Sequence, residues 1–135
     1  MKPIKTIYLS IPEDIGGQYY MKELSRLQES CERLGFEVYN PVTLLNEYRK
    51  ILQYEPTEYH KFSFLLEYLF MSNIMIQFTE WQESFRCKTE FKIAQKVGML
   101  ILQLDNGGTV PIQSIHKILL TNLTDQCQLV KKKTC

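Results

Sequence analysis

The chain has 135 residues, a formal net charge of +1, and 44% hydrophobic against 23% charged residues. That allows one domain with a single sizeable core. It excludes a largely disordered chain, and it excludes a basic field broad enough to make a nucleic-acid polymer the partner. No apolar run approaches the ~20 residues of a membrane span, and the apolar start is interrupted too soon for a signal peptide.

The cysteines Cys31, Cys87, Cys127 and Cys135 form no CxxC pair, and His60 and His116 stand apart from them and from each other. A zinc site lacks its ligand spacing. The expectation is a cytoplasmic protein with free thiols, no metal and no cofactor.

Residues 4–10, with Ile4, Ile7, Tyr8 and Leu9, read as a first strand. Pro12, Gly16 and Gly17 mark the next stretch as a loop. Glu13 and Asp14 there argue against a phosphate cradle. Residues 18–34 carry Tyr20, Leu24, Leu27, Cys31 and Leu34 at helical spacing, and Gly35 follows as a stop. A short strand at 36–39 ends at Asn40-Pro41, completing a β-α-β unit of the kind that builds parallel sheets.

Leu44, Leu45, Tyr48, Ile51 and Leu52 allow a helical stretch, and Glu55-Pro56-Thr57 signals a turn with a fresh helix start. Residues 58–71 form the next helix, with Phe62, Leu65, Leu66, Leu69 and Phe70 on a wide apolar face. Residues 74–78 are a nearly continuous apolar run, as in a strand covered on both faces. A polar loop with the single tryptophan, Trp81, leads into a helix at 84–97 and a buried strand at 99–104. Residues 105–108 form a turn, 111–120 a last helix, and 123–135 a tail whose Lys131, Lys132 and Lys133 are a solvated end. These elements predict a single domain over 1–122: an α/β protein, a three-layer α/β/α sandwich around a flavodoxin-like parallel sheet of four to five strands.

On the helix at 84–97 the apolar side holds Cys87, Phe91, Ile93, Ala94 and Val97, and Glu90 falls inside that arc. A carboxylate so placed is costly unless paired or hydrogen-bonded, which marks Glu90 as a candidate site residue. Arg86 stands four residues earlier, where helix side chains meet, so on the pattern alone a purely structural Arg86–Glu90 pair is the favoured reading. Open α/β sheets bind ligands at the carboxyl ends of their strands. Tyr8 and Ser10 after the first strand, residues 79–84 after the third, and Glu90 converge there.

The runs IYLSIP, YMKELSRLQESCERLGFEVYNP and SNIMIQFTEWQESFRCKTEFKIAQKVGMLIL, in this order, resemble the nucleoside 2-deoxyribosyltransferase superfamily, most of all its small bacterial and phage branch. The resemblance spans about residues 4–104, and the spacing of Trp81, Ser84 and Glu90 is its specific part. It implies cleavage or transfer at the N-glycosidic bond of 2-deoxyribonucleosides or their 5′-monophosphates. Glu90 would be the nucleophile, Tyr8 its orienting partner, and Ser10, Asn73, Trp81, Ser84 and Arg86 would line the substrate site. Ser84 favours a nucleotide over a nucleoside on that likeness, while its other reading is a plain helix N-cap. Trp81 would stack on a base, or plug a subunit contact.

The sequence departs from the family pattern at three places. Ile11-Pro12 replaces Gly-Pro, Asn73 replaces an aspartate, and Arg86-Cys87 replaces Gly-Ala. A catalytically inactive nucleotide-binding or protein-interaction member of the same fold is therefore the alternative. The small-molecule partner implied is a nucleoside or nucleotide. The aromatic helix and the resemblance together imply a homodimer or higher homo-oligomer.

Overall fold

β-Branched and aromatic residues favour extended backbone, and the described chain enters the sheet on such a run, Thr6–Ser10 (β1), with all five residues buried. The computed structural model describes residues 5–12, 18–78 and 81–103, with backbone alone at 18–21, 23 and 81. The expected turn at 105–108, the helix at 111–120, the tail at 123–135 and the acidic loop residues Glu13 and Asp14 lie outside the described residues.

Helix α1 spans Gln18–Arg33 and buries Leu24, Leu27 and Cys31, the expected stripe, while the side chain of Tyr20 lies outside the described set. The helix ends as a Schellman motif. Gly35 N–H donates to the Glu32 carbonyl and Phe36 N–H to that of Cys31, with Gly35 at φ 96°. Only a residue without Cβ takes that backbone at low cost. The same device ends the last described helix. There Gly98 N–H donates to Gln95 and Met99 N–H to Ala94, with Gly98 at φ 74°. Each motif turns the chain directly into the next strand.

Strand β2 is Glu37–Tyr39, and Asn40 then starts helix α2, Pro41–Leu52. The Asn40 side chain accepts from Val42 N–H at 2.9 Å and donates to Gln28 on α1 at 3.1 Å. Pro41 occupies the helix start, where its missing N–H costs nothing. Thr57 caps α3, Glu58–Phe70, by accepting from His60 N–H. Strand β3 is Ile74–Gln77, a 3₁₀ turn covers Trp81–Glu83, helix α4 is Phe85–Lys96, and strand β4 is Leu100–Gln103.

All strands are parallel, in the order β2-β1-β3-β4. Parallel neighbours require crossover connections, and their right-handedness decides which face each helix covers. Ile7, Leu9, Ile74 and Ile76 meet α1 on one face. Tyr8 and Met75 meet Leu65 and Leu69 of α3 and Ala94 of α4 on the other. Helix α2 contributes Val42 to the first core and Leu44 and Leu45 to the second. The architecture is the expected α/β/α sandwich of flavodoxin type, with four strands among the described residues.

The chain leaves β1 toward β2 and leaves β3 toward β4, in opposite directions. The point between the carboxyl ends of β1 and β3 is thus the topological switch point, where such sheets open a crevice.

Replacing Asn40 with Ala removes a cap and an interhelical hydrogen bond together. The expected loss is about 1–2 kcal/mol in urea unfolding, with Asn40→Asp recovering the capping part.

Candidate functional site

Three strands end on polar residues in one register: Ser10 on β1, Gln77 beside it on β3 and Gln103 beside that on β4. Strand alternation puts Ser10 on the same face as Tyr8, and Gln77 on the same face as Met75, toward α3 and α4. Ser84 sets where α4 begins, its Oγ accepting from Cys87 N–H at 3.2 Å. That start brings Arg86, Cys87, Glu90 and Ala94 onto the buried stripe of the helix. Val97, expected on this stripe, is the C-cap and is exposed, because the helix has already ended there.

Glu90 is 1% exposed, and the described residues place four hydrogen bonds on its carboxylate. Tyr8 Oη donates to Oε2 at 2.5 Å and Ser10 Oγ to Oε1 at 2.8 Å. Arg86 Nη1 straddles both oxygens, at 3.3 Å from Oε1 and 3.1 Å from Oε2. Its other terminal nitrogen, Nη2, donates to the backbone carbonyl of Ile11, the first residue after β1. This is a single nitrogen forked over a carboxylate, not the parallel two-nitrogen pairing that makes Arg–carboxylate bonds strongest.

A chain of amides supports the cluster from beneath. Gln77, wholly buried, donates through Nε2 to Ser10 Oγ at 3.3 Å and to the Cys87 carbonyl at 3.0 Å. Its Oε1 accepts from Gln103 Nε2 at 3.0 Å. These buried polar atoms are satisfied from several elements at once, which fixes their rotamers.

Burial pushes the Glu90 carboxyl above its ordinary value. The Arg86 guanidinium is the strongest opposing influence, followed by the hydroxyls of Tyr8 and Ser10. Burial and then the Glu90 charge hold the Tyr8 phenol well above its ordinary value, so Tyr8 stays a donor. Burial also raises the Cys87 thiol. The site can therefore present an oriented carboxylate whose ionisation Arg86 favours most and Tyr8 and Ser10 favour as well.

Of the residues singled out in the sequence, the fold gathers Tyr8, Ser10, Arg86 and Glu90. Ser84 sits two residues before Arg86 as the helix cap. The Trp81 side chain lies outside the described residues; its backbone opens the 3₁₀ turn before α4. Asn73 does not join the cluster. It lies at the amino edge of the sheet, its Oδ1 accepting from Thr6 N–H at 3.0 Å and Thr6 Oγ1 at 3.3 Å. The correction has a topological cause: Asn73 precedes β3, whereas the cluster lies at the strand's other end.

Gln77, Gln103 and the Ile11 carbonyl went unnoticed in the sequence. The runs IYLS, IMIQ and LILQ carry the missing signal, since each apolar strand stops on a polar residue. Among the described residues no group of three or more His, Cys, Asp or Glu is placed to hold a metal ion, and no helix is long and apolar enough to cross a membrane. Comparison with protein-family models, curated proteins and solved structures finds no match to this chain.

Because the Glu90 carboxyl is raised, the native state keeps its proton to higher pH than the unfolded chain does. The stability this confers is complete below the unfolded carboxylate value of about 4.3 and is lost as pH rises through the raised one. Arg86→Met removes the opposing charge, so that loss should move to higher pH. Urea unfolding from pH 4 to 8, with Glu90→Gln as the non-titrating baseline, measures the displacement.

Proposed function

We propose that the protein cleaves the N-glycosidic bond of 2-deoxyribonucleosides or their 5′-monophosphates, with Glu90 as nucleophile. The observation that carries this reading is the Tyr8–Glu90 hydrogen bond at the switch point of the sheet. It joins the two residues that the likeness to nucleoside 2-deoxyribosyltransferases pairs in this role, across 82 positions of sequence.

In the first step a Glu90 oxygen attacks C1′ of the sugar. The C1′–N bond breaks, and the base leaves with the electron pair and takes a proton from water. The product is a glycosyl ester on Glu90, the logic of retaining glycosidases. In the second step water attacks C1′ and gives its proton to the hydroxide left by the first step, and the ester oxygen returns to Glu90 as carboxylate, which gives hydrolysis. Attack by a second base in place of water gives transfer. Tyr8 and Ser10 act as positioning residues, each holding one oxygen of the nucleophile.

A second reading has its own observation. Arg86 lies across both carboxylate oxygens, and Glu90 is 1% exposed. This favours a nucleotide-binding or protein-interaction protein that has kept the fold without the chemistry.

Incubation with the four 2-deoxyribonucleosides and their 5′-monophosphates, with free base measured, separates the two readings. The expected result is base release that falls by at least about a thousandfold in Glu90→Gln, as for loss of a nucleophile. No release from any substrate by a folded wild-type protein overturns the catalytic reading.

The same family reading includes a homodimer or higher oligomer. Exposed Tyr59, Phe70 and Met71 at the two ends of α3 supply apolar surface for it. Light scattering on a sizing column should give a multiple of 16.0 kDa.

A further inference from the structure

The three groups around the Glu90 carboxylate are not equally deep. Tyr8 and Ser10 are wholly buried, and the Glu90 side chain is 1% exposed, but the Arg86 side chain is 9% exposed. Arg86 is thus the most exposed member of the cluster. Its Nη1 is shared between two oxygens at 3.1 and 3.3 Å, while Nη2 is spent on a neutral carbonyl. A phosphate monoester offers both terminal nitrogens parallel, charge-assisted hydrogen bonds and a higher negative charge than one carboxylate.

The remaining bonds to Glu90 do not depend on Arg86. Tyr8 and Ser10 hold one oxygen each from the sheet. If the guanidinium turns to an adjacent phosphate, Tyr8 and Ser10 still favour the ionised carboxylate and hold its orientation, and each oxygen gains a free lone-pair direction.

We propose that Arg86 is an anion-operated latch on Glu90: the 5′-phosphate of a 2-deoxyribonucleoside monophosphate draws the guanidinium away and uncovers the carboxylate for the sugar. The proposal rests on the reading of Glu90 as nucleophile and narrows its substrate class to nucleotides. Arg86 is a specificity-determining residue in this scheme. A nucleoside without the phosphate finds the latch closed. The phosphate and the carboxylate compete for one guanidinium, so removing the Glu90 charge tightens phosphate binding.

Calorimetry on Glu90→Gln, which does not turn over, tests the latch apart from the chemistry. In that protein the monophosphates should bind at least about tenfold more tightly than the matching nucleosides, the scale expected of a charge-assisted arginine contact. The preference should vanish in Glu90→Gln/Arg86→Met and be intermediate in Glu90→Gln/Arg86→Lys, which keeps the charge but not the fork. Inorganic phosphate should bind Glu90→Gln several-fold more tightly than wild type, a comparison that needs no Arg86 variant.

Equal affinity for monophosphate and nucleoside, or a preference that survives both Arg86 substitutions, overturns the latch. Phosphate binding no tighter in Glu90→Gln than in wild type also overturns it. Base release from nucleosides and monophosphates alike, at equal rates, removes the latch and leaves the nucleophile. An Arg86-dependent phosphate preference without base release from any substrate removes the nucleophile and leaves Arg86 as an anion-binding residue.

Discussion

The described structure turns on an ionisable carboxylate placed where water does not reach. A buried carboxylate without partners takes up a proton instead of paying for its charge. Glu90 is surrounded by a guanidinium and two hydroxyls, and each comes from a different position in the fold. Tyr8 and Ser10 alternate onto the same face of β1, and Arg86 lies one turn earlier on the helix that carries Glu90. Arg86 has two opposed effects on that carboxylate. Its charge is the largest influence favouring ionisation, and its side chain is what lies over both oxygens. A nucleophile here is helped by the first effect, which Tyr8 and Ser10 share, and hindered by the second.

The parallel sheet supplies the rest. Four strands in one direction bring Ser10, Gln77 and Gln103 to the same edge in register, and a hydrogen-bonded amide chain joins them laterally. The chain reverses its direction of travel between β1 and β3, and α4 brings Cys87 and Glu90 against the carboxyl ends of these two strands. The glycine motifs that end α1 and α4 bring the chain into β2 and β4 without a loop to spare. Strand register and helix phase are then tied together: where Ser84 starts α4 decides which residues of that helix meet Tyr8.

Much of the fold was legible because strands and helices here are locally consistent. Runs such as IMIQ and the stripe Leu24, Leu27, Cys31 declare their period without help from distant residues. Glu90 was legible for the converse reason, as a local inconsistency, a charge on an apolar arc. Asn73 misled because its place in a motif says nothing about which end of a strand it occupies. The Gln77 contacts could not be read from sequence. They arise from the register between β1 and β3 and from the approach of α4, both settled by packing across 67 and 10 positions of chain. The carbonyl of Ile11 was invisible in principle, since a backbone acceptor has no sequence signature.

That carbonyl has a consequence for how such a site could drift. Every residue supplies a main-chain oxygen, so the anchor for Arg86 at position 11 survives any substitution there that preserves the path of the chain. The apolar side chain of Ile11, 5% exposed, answers only to the core beneath it. Position 11 is therefore free to vary for packing reasons without loosening the arginine. Mutational tolerance at this position would then disguise one of the contacts that hold the cluster together.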